Sequence, residues 1–73
     1  MNGEIPPPGA YAVDTRTGRI GQVMEANELY VNLRPPTGGY EWEVPPEAIR
    51  AARVSEELSA RVSDLNWQSR YLP

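Results

Sequence analysis

The clearest pattern in the chain is the alternation of apolar and polar residues between residues 10 and 51. Residues 29–34 alternate with Leu29, Val31 and Leu33 on one side, and residues 40–44 alternate with Tyr40, Trp42 and Val44 on one side. A period of two places alternate side chains on one face of a β-strand. We therefore predict strands at residues 10–14, 19–25, 29–34 and 40–44, with these six side chains facing inward.

The apolar positions also predict how the last two strands pair. Placing Leu33 opposite Trp42 sets apolar side chains against each other, whereas a slip of one residue would set Leu33 opposite a glutamate. Because a slip moves every side chain to the wrong face, the first register is favoured. It gives the pairs Leu33–Trp42, Val31–Val44, Arg34–Glu41 and Asn32–Glu43.

The second strand contains a glycine that predicts a bend. Ile20 and Val23 are three residues apart, so a β-bulge at Gly21 is needed to place both in the core. Either Val23 or Met24 then faces inward, and the pattern does not decide between them. Tyr11 and Val13 are expected to share a face of the first strand.

The connections carry residues that favour tight turns. Residues 14–18 end in a glycine that can adopt positive φ, and Asn27 is predicted to adopt a left-handed conformation in the next turn. Residues 45–50 suit a single 3₁₀ turn, with Pro46 early and Ile49 plugging the end of the sheet.

The C-terminal part of the chain has helical periodicity. Val54, Leu58, Val62 and Leu65 recur at helical spacing, which predicts a helix from about residue 56 to residue 65 with Ser55 as its N-cap. Arg61 follows Glu57 by four residues and is expected to pair with it. The apolar stripe is expected to pack on the chain's own sheet; the alternative is that it binds another copy or a partner, with Trp67 and Tyr71 extending that surface.

Composition narrows the possible functions. The net charge is −3, from ten carboxylates and seven arginines, and there is no cysteine or histidine. Disulfides, cysteine-ligated zinc and serine–histidine nucleophiles are therefore excluded, and we expect no catalytic site, cofactor or metal. No apolar run approaches a membrane span, and the start lacks a signal-peptide pattern, so a cytoplasmic protein is expected.

The segment Gly18-Arg19-Ile20-Gly21-Gln22-Val23 resembles the glycine-rich core of KOW-type barrels, a branch of the Src-homology-3-like barrels found in ribosomal and transcription-elongation proteins. The stretch from Tyr11 to Val44 is also similar to small actinobacterial, chiefly streptomycete, barrel proteins. The resemblance implies a mainly β fold: a small five-stranded Src-homology-3-like barrel with a short C-terminal α-helix. The expected parts are a Pro-rich arm at residues 1–9, a barrel at residues 10–51, and a helix and tail at residues 52–73.

Two functional hypotheses follow from these features. The first is a non-enzymatic protein-interaction or accessory module that uses the loops at residues 14–18 and 35–39. The aromatic side chains available to line a groove between these loops are Tyr11, Tyr30, Tyr40 and Trp42, although the alternation favours the core for the last two. The alternative is a KOW-like nucleic-acid-binding barrel associated with transcription or translation, in which arginines bind phosphate and Tyr30 stacks on a base. The acidic net charge disfavours the alternative. The candidate partner-binding residues are Arg16, Arg19, Tyr30, Arg34, Pro36, Trp67 and Tyr71.

Overall fold

A computed structural model describes residues 5–69 of the 73-residue chain. Five strands form one antiparallel sheet in the order β4-β3-β2-β1-β5, and a helix follows them. The strands are β1 (Tyr11–Asp14), β2 (Arg19–Ala26), β3 (Val31–Arg34), β4 (Trp42–Val44) and β5 (Ile49–Ala51); a 3₁₀ turn spans Pro46–Ala48, and helix α1 spans Val54–Ser69. The mainly β fold with a C-terminal helix is confirmed, but the sheet is not closed into a barrel.

The predicted register of β3 and β4 is confirmed. Leu33 lies opposite Trp42 and Val31 lies opposite Val44, with Asn32 opposite Glu43 between them. Leu33, Val31 and Val44 are fully buried. Ala12, Val23 and Ala48 complete the buried cluster, with Trp42 and Ile49 packed against it. Apolar pairing across the ribbon therefore forms the centre of the sheet's inner face.

Two of the six side chains that the alternation of residues 29–34 and 40–44 predicted to face inward do not face inward. Strand β4 begins at Trp42, and Tyr40, two residues before it, is 95% exposed. Strand β3 begins at Val31, and Leu29 lies exposed in the preceding turn. Alternation in the sequence continues beyond the residues that form ladder hydrogen bonds, so both predictions were wrong. Glu41 also lies outside β4, and the Arg34–Glu41 pairing does not form in the ladder.

The irregularity in β2 lies later than predicted. The register between β2 and β3 shifts between Val23 and Glu25, so Val23 faces the core and Met24 is exposed. Gly21 is regularly paired with Ala12, and its φ is not positive. Glycine is required there because a Cβ atom would lie 2.8 Å from the Cβ of Leu33. The close approach of neighbouring strands, rather than a bulge, explains this glycine.

The turns use the predicted residues with one correction. The backbone N–H of Gly18 donates to the Asp14 carbonyl at 2.7 Å, and Gly18 has φ of +79°. Asn27 does not adopt a left-handed conformation; its side-chain Oδ1 instead accepts hydrogen bonds from the backbone N–H groups of Leu29 and Tyr30. The 3₁₀ turn is confirmed, although its buried residue is Ala48.

The sheet has two different faces. Ala12 and Gly21 face the buried cluster, whereas Val13 and Ile20 form a pair on the opposite face, towards helix α1. Ile20 was expected in the same core as Val23, and this is wrong because the two lie on opposite faces of β2.

Within residues 5–69 no helix has the length and apolarity to cross a membrane.

Gly21→Ala should lower the free energy of unfolding by about 1–3 kcal/mol, because the added methyl group overpacks the contact with Leu33. Urea titration followed by tryptophan fluorescence measures this change. Glu25→Ala, at an exposed position of the same strand, is the matched control and should change it by less than about 0.5 kcal/mol. Equal unfolding midpoints for the two variants would contradict the close approach.

Candidate protein-binding surface

The start of helix α1 is attached to β5 through Glu56. Arg50 donates two hydrogen bonds to the Glu56 carboxylate, at 2.9 and 2.8 Å, and the backbone N–H of Arg53 donates to it at 2.8 Å. The Arg50 guanidinium, followed by this N–H group, lowers the pKa of Glu56 to about 2.

The predicted N-cap was wrong: Ser55 lies inside the helix, which begins two residues earlier than expected and ends four residues later than expected.

The middle of the helix is attached to the sheet through Asp64. Asp64 is only 7% exposed and forms an ion pair with Arg34 on β3 at 3.1 Å, and Arg34 also donates to Gln22 on β2 at 2.7 Å. Arg34 therefore pairs with a helix residue rather than with Glu41. Burial, and then the negative charge of Asp64, raises the pKa of Tyr11.

The end of the helix is attached to the loop between β3 and β4. Gly38 has φ of +82°, and a Cβ atom there would lie 2.7 Å from Nε1 of Trp67. The half-buried indole of Trp67 thus packs directly on the glycine backbone. Trp67 was predicted to extend a partner surface, and the structure places it against the chain's own loop. Tyr71, the other aromatic residue of that prediction, lies outside the described residues.

These contacts all use one side of α1, and its large apolar side chains lie on the other side. The expectation that the apolar stripe packs on the sheet was wrong. At about 100° per residue the four apolar positions fall within an arc of about 80°, and they extend about 16 Å along the helix. We call them the outer stripe; their exposed fractions are Val54 76%, Leu58 58%, Val62 56% and Leu65 64%.

Charged side chains border one edge of the outer stripe. Glu57 and Arg61 form the predicted ion pair, with 2.7 Å between Oε2 and Nη2, and both side chains are substantially exposed. The other edge carries the uncharged residues Ser55 and Ser59. The outer stripe is therefore an apolar surface with one charged border and one neutral border.

A groove of about 460 Å³ separates the inner side of α1 from the sheet. Both predicted binding loops contribute to it, through Gly18 from one and Pro36 and Thr37 from the other. Its sheet side is formed by Val13 and Ile20, and its helix side by Ser55, Glu56, Ser59, Ala60 and Ser63. None of the four aromatic residues that were predicted to line a groove between these loops lines this one.

Arg16 binds the buried carboxylate of Asp14, and Arg19 stacks on the tryptophan that donates to the same carboxylate. Asp14 is 1% exposed; it accepts hydrogen bonds from the Arg16 backbone at 3.0 Å, from the Arg16 guanidinium at 3.0 and 3.1 Å, and from the Trp42 indole at 3.0 Å. The Arg19 guanidinium lies 3.9 Å from the centre of the Trp42 ring. The hydrogen bonds from Arg16, and then that from Trp42, lower the pKa of Asp14 to about 2.

The structure thus separates the predicted binding residues. Arg16 and Arg19 lie beside Trp42, Arg34 lies beneath α1, Pro36 lines the groove, and Tyr30 is half-buried next to the Asn27 turn. The helical spacing predicted that the four residues of the outer stripe share one side of the helix, but the prediction that this side faces the sheet was wrong.

Among residues 5–69 there is no group of three or more His, Cys, Asp or Glu side chains that could hold a metal ion.

Comparisons with protein-family models, with curated proteins and with solved structures gave no significant match.

Leu58→Glu should change the free energy of unfolding by less than about 0.5 kcal/mol, because this side chain lies outside the domain's own packing. Leu33→Ala, in the buried cluster, should cost about 2–5 kcal/mol. Urea unfolding at low micromolar protein concentration, where weak association is absent, measures both. A large loss for Leu58→Glu would mean that the outer stripe packs on the sheet after all.

The free energy of unfolding should fall in acid because the carboxylate of Asp14 becomes protonated. Its pKa is about 2 in the fold against an ordinary value of 3.8, so its contribution is complete above about pH 5 and is lost as the pH falls through 4 towards 2. The loss should be about 2 kcal/mol. Urea titrations at pH 7 and pH 2.5 should show a smaller pH-dependent loss for Asp14→Asn than for the unsubstituted chain, whereas Glu28→Gln, in an exposed turn, should keep the full loss.

Proposed function

We propose that this protein is a non-enzymatic protein-interaction module and that the outer stripe of α1 is its binding surface. The observation that carries the proposal is the position of the four large apolar residues of α1, each more than half exposed on one side of the helix. An amphipathic helix in a globular protein normally turns its apolar side towards the core. Contiguous exposed apolar surface is characteristic of interaction sites.

The attachment of the helix supports this proposal. The contacts of Glu56, Asp64 and Trp67 fix the rotation of α1 about its axis. Turning the outer stripe inward would break the ion pairs with Arg50 and Arg34 and would put large side chains where the small, buried Ala60 now lies. The exposed apolar side is therefore maintained by specific contacts.

The spacing of the outer stripe indicates the kind of partner. Apolar residues at positions i, i+4, i+8 and i+11 present one narrow row of side chains, which is the pattern by which a helix meets an apolar row on another helix. A partner with a helical apolar stripe of similar length fits this surface. The serines of the groove, in contrast, have no feature that selects a ligand.

The Src-homology-3-like assignment is part of the proposal. Five antiparallel strands, with a 3₁₀ turn between the last two, are consistent with such a domain. The nucleic-acid hypothesis has weaker support. Arg16 and Arg34 are hydrogen-bonded to buried carboxylates, and Arg19 stacks on an indole, so these side chains would have to leave internal partners to bind phosphate.

Photo-crosslinking tests the proposal. The chain is expressed in its source cells with a benzophenone amino acid in place of Leu58, and adducts are identified by mass spectrometry. The matched control carries the same group in place of Leu29, another exposed leucine that lies on the turn between β2 and β3. We expect a protein adduct from the Leu58 position and none of the same mass from the Leu29 position. The absence of any adduct specific to Leu58 would overturn the proposed function.

A further inference from the structure

We propose that the partner of the outer stripe is the outer stripe of a second copy of this chain, with the two helices antiparallel across a two-fold axis. The inference rests on the proposed function and names the occupant of the proposed surface. Two features of α1 support a second copy as the partner: the order of the apolar residues along the stripe and the order of the charges along its border.

The apolar residues of the stripe are self-complementary. In an antiparallel pair centred between residues 59 and 60, Val54 of one copy lies opposite Leu65 of the other, and Leu58 lies within one residue of the level of Val62. Each contact then joins one valine and one leucine, so every level of the interface has a similar side-chain volume. A two-fold interface requires such a reciprocal pattern, because each contact occurs twice.

The charged border selects the same arrangement. A two-fold axis perpendicular to the helices brings a given border of one helix beside the same border of the other, running in the opposite direction. Glu57 then lies within one or two residues of the level of Arg61 in the second copy, and Arg61 lies near the second Glu57. At about 1.5 Å per residue the offset is about 1.5–3 Å, which the arginine side chain can span.

The result is an alternating set of four charges at the edge of the interface. Each Glu57 keeps the Arg61 of its own helix at 2.7 Å and gains the Arg61 of the other copy. A parallel pair would instead place Glu57 and Arg61 beside Ser55 and Ser59 of the other copy, where no opposite charge is available. Complementary charges along an interface fix its orientation, and here they favour the antiparallel pair.

The expected affinity is modest. The stripe is about 16 Å long and provides four apolar side chains from each copy, so the interface is smaller than the roughly 1,200–2,000 Å² of stable complexes. We therefore expect a dissociation constant of the dimer in the micromolar to millimolar range. Sedimentation equilibrium from about 10 μM to 1 mM covers that range. A single monomeric mass throughout would overturn the inference.

Two single variants and their mixture test the charge contact. Glu57→Arg leaves two positive charges on the border of the stripe, and Arg61→Glu leaves two negative charges. Each variant alone should form its homodimer at least ten-fold more weakly, because four like charges then meet. An equimolar mixture should form a heterodimer at least as well as the unsubstituted chain forms its homodimer, since every contact across the border again joins opposite charges. Native mass spectrometry distinguishes the species, because the two variants differ in mass.

Controls separate this result from a loss of folding. Each single variant also loses the ion pair within its own helix, and Arg61→Glu loses the contact of the Arg61 guanidinium with the Tyr11 ring, 5.7 Å from its centre. Circular dichroism of each variant must therefore match that of the unsubstituted chain before mixing. Leu58→Glu should abolish the dimer, whereas Leu29→Glu, which adds the same charge elsewhere, should leave it intact. Unchanged homodimers in the charge variants, or a mixture that stays monomeric, would overturn the antiparallel contact.

The crosslinking experiment distinguishes the two proposals. An adduct between two copies from the Leu58 position supports both. An adduct with a different protein, together with a monomeric chain up to 1 mM, would leave the proposed function standing and overturn the inference of a second copy.

Discussion

Helix α1 is held against the sheet by its polar and small residues, and this attachment determines which residues of the helix are exposed at the molecular surface. Arg34 on β3 and Asp64 on α1 form the central contact, with Glu56 and Trp67 fixed at either end. Removing two charges from water is costly, so this largely buried ion pair adds little net stability, although breaking it would leave the Asp64 charge buried without its partner. The rotation of the helix about its axis is therefore well defined, although its packing on the sheet is light.

This arrangement couples the order of the helix to binding. A helix of sixteen residues is marginal in water when isolated, so α1 depends on its attachments to the sheet. Those attachments leave its main apolar surface in solvent. Anything that covers the outer stripe would bury that surface only when α1 is folded, and would therefore stabilise the folded helix by mass action. Binding at the outer stripe and folding of α1 would therefore be thermodynamically linked.

The sequence predicted the elements better than it predicted their faces. The register of β3 and β4 was predictable because alternation made every wrong register costly at Leu33 and Trp42. Tyr40 was misplaced because alternation continues past the end of the strand. Helical spacing showed that the four stripe residues share a side, but periodicity alone carries no information on which side meets the sheet. That choice depends on Arg34 and Asp64, which are thirty residues apart and have no local pattern in common.

The stability of the sheet has a source separate from the helix. Asp14 links β1, the following turn and β4 through hydrogen bonds from Arg16 and Trp42, and none of these residues lies on α1. The buried cluster likewise lies on the face of the sheet opposite the helix. Substitutions on the outer side of α1 should therefore leave the sheet intact, because they touch neither the Asp14 network nor the core. The residues of the outer stripe can therefore change without loss of the fold.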